Sequence, residues 1–238
     1  MSVRPEVIPF VLGALIAGTA VFLGCRLRHL GYNVSVLSGA IPALILAGYF
    51  LYFFRDPERT PPADPEAVVA GADGRVAKIT RLGEADFPRL AAFAGLDGDR
   101  TAAFLDPDVV RVSIFLSLFD VHVNRAPIAG RSSFLGYFPG RHFFTFGEKS
   151  SEHNQHNSIL IENDRTLCLI NQIVGPVCRR VVYWPPHDRA VELEKGDRIG
   201  MMKFGSRLDL YFRGRDVELV VTEGDRVRAG ETVIARLR

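Results

Sequence analysis

The dipeptide Gly205-Ser206, near the C-terminal end of a 238-residue chain, has the residue types that self-cleavage requires. A serine hydroxyl next to a glycine, which has no side chain to hinder the approach, can attack the carbonyl carbon just before it and form an ester. β-Elimination of that ester and hydrolysis would convert the serine into a pyruvoyl group, whose ketone accepts electrons as carbonyl cofactors do. The dipeptide therefore predicts a chain that cuts itself and carries its own cofactor.

Asp73 and His122 provide the other two residue types of a general-base relay. In such a relay a carboxylate orients an imidazole ring, and the imidazole takes the proton of the attacking hydroxyl. Asp73 lies between glycines in the segment 71–74, and His122 follows Phe-Asp-Val in the segment 119–122. Each has an ordinary alternative, since aspartate favours turns and a histidine can simply end a strand. The candidate catalytic residues are therefore Ser206, His122 and Asp73, provided that the fold brings them together.

Lys203 supports a different interpretation, a carrier module rather than an enzyme. The segment Met201-Met202-Lys203 is similar to the Met-Lys hairpin on which biotin or lipoate is attached. Two Gly-Asp turns, at 196–197 and 224–225, each come shortly before a β-branched residue, as in small β-sandwich carriers. A tethered-cofactor carrier modified on Lys203 is thus the alternative hypothesis.

A third interpretation, a membrane-bound serine hydrolase, uses the same serine, histidine and aspartate but predicts an uncut chain. The G-x-S-x-G pattern of a nucleophile elbow is absent from the sequence, and Ser206 precedes the strand-like segment Leu208-Asp209-Leu210-Tyr211 rather than a helix. Dinucleotide-binding and P-loop patterns are absent as well. Self-processing is favoured over hydrolysis on these grounds.

The N-terminal region contains two uncharged apolar stretches, at 7–25 and 34–54. Each is long enough to cross a hydrocarbon core of about 30 Å. Arg26 and Arg28 follow the first stretch where a signal peptidase would need small residues, so we expect a retained helical hairpin, residues 1–55, at a membrane. A pair of buried core helices, or embedding in the plane of the membrane, is the alternative. Basic residues on both sides favour only weakly a cytoplasmic location for the rest of the chain.

Charge and cysteine content exclude several other classes. The formal net charge is +2, and no basic block is interleaved with aromatic residues, so nucleic acid is not an expected partner. The three cysteines, Cys25, Cys168 and Cys178, are odd in number and lack a C-x-x-C spacing. They indicate a reducing compartment and give no structural zinc site, and we expect no metal cofactor.

The remaining residues, 56–238, have the alternation and turn signals of a mainly β (α+β) domain. We expect a β-sandwich or barrel-like catalytic domain with carrier-like hairpins at its C-terminal end. The segment 83–106 is rich in acidic residues, glycine and proline and is interpreted as an insertion. Strands are predicted at 67–70, 75–79, 109–118, 166–174, 179–184 and 208–212.

Five segments together resemble the phosphatidylserine decarboxylase proenzymes, and most closely the short bacterial and archaeal form. The resemblance covers nearly the whole chain, and the order and spacing of the segments make it specific although each alone is weak. The segments are Phe54-Arg55-Asp56-Pro57, Ala72-Asp73-Gly74, Phe119-Asp120-Val121-His122 with Pro127, Gln172-Ile173-Val174-Gly175 followed by Arg179-Arg180, and Phe204-Gly205-Ser206.

This resemblance implies self-cleavage between Gly205 and Ser206, giving a β chain of residues 1–205 and an α chain of residues 206–238 that form a heterodimer. The pyruvoyl group made from Ser206 would form a Schiff base with the substrate amine, without added metal or pyridoxal phosphate. The reaction would convert phosphatidylserine, or alternatively archaetidylserine, to the ethanolamine lipid and CO2 at a membrane.

The resemblance also assigns roles to single residues. Asp73 falls on the processing aspartate of the family, and His122 falls on a histidine of its Asp-x-His motif. Longer members often have a second histidine three residues later, where this chain has Arg125. Two further histidines, His153 and His156, lie in a polar loop and are expected to be exposed rather than metal ligands.

Overall fold

The computed structural model describes residues 2–104, 108–145, 147, 150–176, 181–203 and 205–238. The predictions that concern Cys178, Arg179, Arg180 and Phe204 lie outside these described residues. The chain divides into two compact units, residues 1–58 and 59–238. The proposed domain boundary after residue 55 stays a prediction.

The first unit is a pair of apolar helices. Helix α1 (Ile8–Leu27) is followed by a second helical segment made of α2 (Tyr32–Ser35), a π-helical turn (Val36–Ala40) and α3 (Ile41–Phe53). The π-helical turn comes just before Pro42, whose ring nitrogen cannot donate the usual backbone hydrogen bond. A short antiparallel pair, β1 (Ser2–Val3) with β2 (Arg55–Asp56), joins the two ends of the unit.

Small residues allow the two helical segments to approach closely. A Cβ atom added to Gly18 would lie 2.3 Å from the Ala43 Cβ, and one added to Gly39 would lie 2.6 Å from the Gly18 carbonyl oxygen. Large apolar side chains such as Ile16 and Ile45 point away from this contact and are each 69% exposed. Residues 5–27 and 32–53 are both long and apolar enough to cross a membrane by length and composition.

The second unit is built on antiparallel sheets. Its strands are β3 (Ala67–Val69), β4 (Gly74–Leu82), β5 (Val109–Leu116), β6 (Val123–Arg125), β7 (Gly130–Phe138), β8 (His156–Glu162), β9 (Leu167–Val174), β10 (Val181–Tyr183), β11 (Val191–Leu193), β12 (Arg198–Met202), β13 (Ser206–Arg213), β14 (Val217–Leu219), β15 (Arg226–Val227) and β16 (Val233–Leu237). The largest sheet has the strand order β11-β7-β8-β9-β13-β5-β4-β15, and two three-stranded sheets have the orders β10-β12-β6 and β14-β16-β3.

Short helices cover parts of these sheets. A 3₁₀ turn (Glu84–Asp86), α4 (Phe87–Ala94) and α5 (Gly98–Phe104) occupy the segment expected to be an insertion, and α6 (Ser150–His153) precedes β8. Helix α4 buries Phe87, Leu90 and Ala94, and its C-terminal end is closed by Gly95 with a left-handed φ of +67°.

Strand β13 separates two packed cores. Its side chains alternate, so Leu208, Leu210 and Phe212 enter the larger core, whereas Tyr211 enters a smaller core with Phe87 and Leu90 of α4. This strand pairs with β5 on one side and β9 on the other. The residue that begins it, Ser206, is therefore held between two neighbouring strands.

The two Gly-Asp repeats form equivalent turns. Gly196 and Gly224 have φ values of +88° and +98°, in the region that favours glycine. In each turn the aspartate carboxylate accepts a hydrogen bond of 2.8 Å from a backbone amide three residues earlier, Glu194 N to Asp197 and Thr222 N to Asp225. The repeat seen in the sequence thus corresponds to a repeated turn geometry.

The mainly β, α+β fold class predicted from the sequence is confirmed. The predicted strands differ somewhat in their bounds from those in the structure. Strand β4 extends to Leu82 and β13 begins at Ser206, because backbone pairing continues past the alternating residues. Strands β3, β5 and β9 are each one or two residues shorter than predicted. Of the predicted strand 179–184, the described part is Val181–Tyr183.

Candidate active site

Ser206 is the first residue of β13 and is completely buried. It pairs with Leu116 of β5 and with Val174 of β9. Its hydroxyl oxygen makes no hydrogen bond to any residue that the structure describes. A buried hydroxyl without a partner costs about 1–3 kcal/mol, which is tolerated mostly where function requires the group.

Gly205 has a φ of +72°, a left-handed conformation that strains any residue with a side chain. Open space surrounds the position where a Cβ atom would lie. The need for glycine here comes from the backbone conformation rather than from crowding, and that conformation places the Gly205 carbonyl just before the serine.

Thr145 contacts the carbonyl that the serine would attack. Its Oγ1 donates a hydrogen bond of 3.1 Å to the Gly205 oxygen. Gly175 also lies close to this oxygen, since a Cβ added there would be only 2.8 Å from it. A donor aimed at a carbonyl oxygen polarises the bond and stabilises the negative charge that develops when a nucleophile adds. Sequence reasoning missed Thr145, because nothing in Phe143-Phe144-Thr145 sets this threonine apart.

Asn154 fixes the loop that carries Thr145. Its Nδ2 donates to the carbonyls of Phe143, at 2.7 Å, and Val174, at 2.9 Å, while its Oδ1 accepts from the Phe143 amide at 2.9 Å. The side chain of Asn154 is completely buried. Because Val174 pairs with Ser206, these bonds connect the threonine loop to the strand beside the Gly205–Ser206 bond.

Asp73 lies on the turn before β4, with both carboxylate oxygens engaged. Oδ2 accepts a hydrogen bond of 2.9 Å from Arg59 Nη2, and Oδ1 accepts one of 2.8 Å from the Ala229 amide. Burial raises the pKa of Asp73, and the Ala229 hydrogen bond and the Arg59 charge only partly oppose that rise. The hydrogen-bond partners of Asp73 are therefore an arginine and a backbone amide rather than His122.

His122 is completely buried just before β6. Its Nδ1 lies 3.0 Å from the Asp120 carbonyl oxygen. A carbonyl can only accept, so the neutral imidazole carries its proton on Nδ1 and has Nε2 as its basic nitrogen. The His122 carbonyl accepts a hydrogen bond of 3.2 Å from the Met202 amide, four residues before Ser206.

The turn of Asp73 approaches the strands of both other candidates. The carbonyl of Gly71 accepts a hydrogen bond of 2.9 Å from the amide of Arg125 in β6. A Cβ added to Gly71 would lie 2.6 Å from Cδ2 of Leu208 in β13. The turn of Asp73 thus lies close to the strand that follows His122 and to the strand that begins with Ser206, and the roles of these three residues remain a prediction.

Arg125, which stands where longer relatives of the resembled type often have histidine, is buried and structural. Its Nη1 donates a hydrogen bond of 2.8 Å to the Gly196 carbonyl in the first Gly-Asp turn. The position is thus used to hold β6 to that turn.

The alternative interpretations fit the geometry less well. Lys203 follows β12 and is only 6% exposed, whereas a biotin or lipoate lysine has to reach its ligase from an exposed hairpin tip. Ser206 begins a strand and does not sit on the strand-to-helix turn of a hydrolase elbow.

The two histidines of the polar loop, His153 and His156, differ in solvent exposure. His153 is exposed as expected, but the expectation for His156 was wrong, since it is 2% exposed. Its ring stacks on Phe93, with centroids 3.6 Å apart, and on Phe138, at 5.0 Å, and these two rings come from distant parts of the sequence. Within the described ranges, no group of three or more histidine, cysteine or acidic residues could hold a metal ion.

Comparison with known proteins decides the family. The family model for phosphatidylserine decarboxylase matches residues 46–235. The chain belongs to the phosphatidylserine decarboxylase family. This membership confirms the resemblance inferred from the motifs.

Curated relatives of this family match along most of their length. The phosphatidylserine decarboxylase proenzyme of Pelobacter propionicus is 37% identical over 235 residues, covering 98% of this chain and 95% of the relative. Those of Prosthecochloris aestuarii and Desulfotalea psychrophila are 40% and 36% identical, each covering 82% of this chain and 80% and 82% of the relative.

Proposed function

We propose that this protein is a self-processing decarboxylase that converts phosphatidylserine to phosphatidylethanolamine and CO2 with a pyruvoyl group made from Ser206. The observation that carries the proposal is the scissile bond itself. In a chain of this family, Gly205 has a left-handed backbone, its carbonyl accepts a hydrogen bond from Thr145, and the Ser206 hydroxyl is buried beside it.

Processing begins with attack of Ser206 Oγ on the Gly205 carbonyl carbon. His122 Nε2 takes the hydroxyl proton, and Thr145 donates to the oxygen that becomes negative. The C–N bond breaks, the amine takes up a proton, and an ester joins Gly205 to the serine oxygen. Loss of the Ser206 α-proton expels the Gly205 carboxylate, and water then releases ammonia from residue 206. The products are the chains 1–205 and 206–238.

The residues present fit a pyruvoyl group at position 206, because the hydroxyl it derives from makes no bond to a described residue that would have to be broken. The ketone supplies an electron sink for the electron pair released when CO2 departs. His122 returns a proton to the substrate α-carbon, with a positioned water as the competing donor. Burial around residue 206 keeps bulk water away from the substrate carboxylate. A carboxylate anion is disfavoured without water, so its departure as neutral CO2 is favoured.

The two chains would stay together as a heterodimer. Strand β13 pairs with β5 from Ser206 to Arg213 and with β9 from Ser206 to Tyr211. Strand β16 adds a second attachment, since it pairs with β3. These pairings would hold the 206–238 fragment to the larger chain after the peptide bond is cut.

A phospholipid substrate lies in a membrane, which the two apolar helices could also bind. We propose that residues 1–55 hold the enzyme at the cell membrane, with the catalytic domain on the cytoplasmic face. The length and composition of the two helices support membrane residence, and the reducing compartment inferred from cysteine usage supports the face.

Intact mass of the purified protein tests the proposal directly. We expect two chains that divide after residue 205, the smaller one beginning with a ketone that borohydride and an amine substrate can trap. Ser206→Ala should give one uncut 26.4 kDa chain without decarboxylase activity. Lys203→Ala should not change the cleavage pattern. An intact wild-type chain with biotin or lipoate on Lys203, or a 206–238 fragment that begins with an unmodified serine, would overturn the proposal.

A further inference from the structure

Two loops border the end of the large sheet at which β13 begins. Strand β5 ends there with Leu116, which pairs with Ser206, and the chain continues into the loop 117–120. The second loop, 141–145, reaches the same end, because the hydroxyl of its last residue donates a hydrogen bond to the Gly205 carbonyl. Both loops therefore lie beside the bond proposed for cleavage.

Each of these loops exposes large apolar side chains. They are Leu118 and Phe119 in the first loop and Phe143 and Phe144 in the second, and we call these four residues the apolar rim. Phe119 is 67% exposed and Phe144 is 63% exposed, the two highest values among the large apolar side chains described in the second unit. Exposed apolar side chains gathered in one region commonly mark an interaction surface.

The opposite end of the same sheet is polar. The turn between β8 and β9 exposes Asn163, Asp164 and Arg165, and the turn after β13 exposes Arg215. Strand β13 has 8 residues, so the two ends of the sheet are roughly 25 Å apart. Within the residues that the structure describes, large apolar side chains are thus exposed only at the end beside Ser206.

The charges beside the apolar rim suit an anionic surface. Arg141 is exposed, and its guanidinium carbon lies 5.7 Å from the centre of the Phe143 ring. Arg226 is also exposed and lies 3.9 Å from the Asp120 carboxylate. Asp120 is the only acidic residue of the two loops, and its carboxylate accepts hydrogen bonds from the amide and the hydroxyl of Ser117. Aromatic rings with arginines are typical of segments that lie among the headgroups of an anionic bilayer.

The dimensions of a phospholipid connect this rim to the proposed chemistry. In a diacyl phospholipid, only the headgroup and the glycerol separate the amine from the acyl chains. Leu118 is two residues past the strand partner of Ser206, roughly 7 Å along an extended chain, and Phe144 directly precedes Thr145. A lipid whose amine reaches residue 206 from this end of the sheet therefore has its acyl chains near the apolar rim.

We propose that the apolar rim inserts into the bilayer that contains the substrate, so that the lipid passes to residue 206 without leaving its apolar surroundings. This inference rests on the proposed function. It goes beyond the role proposed for residues 1–55, which hold the protein at a membrane, because the rim belongs to the second unit and determines which face of that unit meets the lipid. A second copy of this chain is the competing occupant of the rim, and the first test below separates the two.

Quenching of tryptophan fluorescence by brominated acyl chains tests the insertion on the full-length protein in vesicles of phosphatidylcholine and phosphatidylserine. Trp184 is the only tryptophan of the sequence, so Trp184→Phe together with Ser206→Ala gives an uncut chain without tryptophan emission. In that chain, Phe119→Trp and Phe144→Trp each place a reporter in one loop, and brominated lipid should quench either reporter by at least half. Asp164→Trp, at the opposite end of the sheet, is the matched control and should keep its emission.

Two results of this measurement would overturn the inference. One is equal quenching of the control and the two rim reporters, since the rim would then have no special position. The other is rim emission that brominated lipid leaves unchanged. If that unquenched emission is shifted to shorter wavelength, a second copy of the chain covers the rim instead of lipid.

An activity measurement tests whether insertion serves the reaction. The double variant Phe119→Ser and Phe144→Ser should lower kcat/KM for phosphatidylserine in vesicles at least fivefold. Its kcat/KM for monomeric dihexanoyl phosphatidylserine, which is dissolved in water, should not change, and its cleavage into two chains should stay complete by intact mass. Phe119→Leu with Phe144→Leu keeps the rim apolar and should retain most of the activity on vesicles. An equal fall for both substrates would show that the loops act on the site itself and would overturn the inference, as would unchanged activity on vesicles.

The failure of this inference can be told apart from failure of the proposed function. The uncut Ser206→Ala chain reports insertion without any catalysis, so quenching of both rim reporters supports the rim even if the wild-type protein releases no CO2. Unquenched reporters remove the rim, whereas the decarboxylase assignment stands if the wild-type protein releases CO2.

Discussion

At the scale of single residues, the hydrogen bond from Thr145 to the Gly205 carbonyl suggests a role in self-cleavage that can be tested. Thr145 donates this bond from a loop 60 residues away in the sequence. Thr145→Val keeps the shape of the side chain but removes the donor, so precursor cleavage should slow by about 10²–10³-fold, as for other oxyanion donors. The fraction of uncut chain, followed over time by intact mass, measures the effect. Thr145→Ser keeps a hydroxyl and should restore most of the rate; cleavage of Thr145→Val at the wild-type rate would rule this role out.

His122 and Asp73 are expected to act on the same step in different ways. His122→Ala removes the proposed base and should slow cleavage by about 10²–10⁴-fold. Asp73→Ala should also slow it, because the carboxylate orders the turn through Arg59 and the Ala229 amide. Pulse-labelled precursor, separated by size, gives both rates. Normal processing in both variants would exclude them from maturation, although His122 could still serve decarboxylation.

The pH dependence of stability follows from the raised pKa of Asp73. The folded protein holds the Asp73 proton more tightly than the unfolded chain does, and this difference stabilises the fold. The contribution is complete at pH values below the pKa of Asp73 in the unfolded chain, and it is lost as pH rises through the pKa of Asp73 in the folded protein. We compare two uncut proteins, Ser206→Ala with Asp73 present and Ser206→Ala with Asp73→Asn. As pH rises through this window, the melting temperature of the protein with Asp73→Asn should rise relative to that of the protein with Asp73. A constant difference between the two melting temperatures across that range would contradict the shift.

At the scale of elements, β13 begins with Ser206, the serine proposed for self-cleavage, and makes structural contacts along the rest of its length. Its pairing with β5 and β9 predicts that the 206–238 fragment stays bound after cleavage. Size-exclusion chromatography without denaturant should give one peak that contains both chains, and denaturant should separate them. Two peaks under native conditions would show that strand pairing alone does not retain the fragment.

Elements also show what sequence patterns could and could not predict. The Gly-Ser dipeptide and the alternation of 208–212 are local, so the strand could be predicted directly, and cleavage at the dipeptide stays a prediction. The bond from Thr145 to Gly205 and the stacking of His156 between Phe93 and Phe138 join segments distant in sequence. Such contacts depend on which strands become neighbours, and the residues on either side of each contact contain no signal of their partner.

The Asp73 turn illustrates the same limit within the candidate site. Its flanking glycines marked it as a turn, but a relay required a histidine partner, and the structure pairs its carboxylate with Arg59 and Ala229 instead. Ala229 follows the second Gly-Asp repeat and is 156 residues away. The residue type was enough to suggest a role that can be tested, whereas the hydrogen-bond partners of Asp73 could be found only from the fold.

At the scale of the whole molecule, the chain combines an apolar helical unit with a unit that has its own cores. Full-length protein should therefore remain in the membrane fraction after a high-salt wash, because apolar burial is insensitive to ionic screening. A chain that begins at Glu58, and so keeps Arg59 for Asp73, should be soluble, cleaved and active on detergent-dispersed lipid. Full-length protein found in the soluble fraction without detergent would contradict membrane residence.

The proposed cut comes directly before the first residue of a paired strand, and this position affects whether the mature enzyme can recover from unfolding. Folding of the precursor is unimolecular, since one chain contains every strand of the large sheet. Once the bond before Ser206 is broken, any full unfolding releases a short fragment that supplies an interior strand, and recovery becomes a second-order encounter of two chains. The lifetime of the mature enzyme would then depend on how slowly it unfolds rather than on its ability to refold. A mature molecule that unfolds and loses the short fragment would not recover as the uncut precursor does.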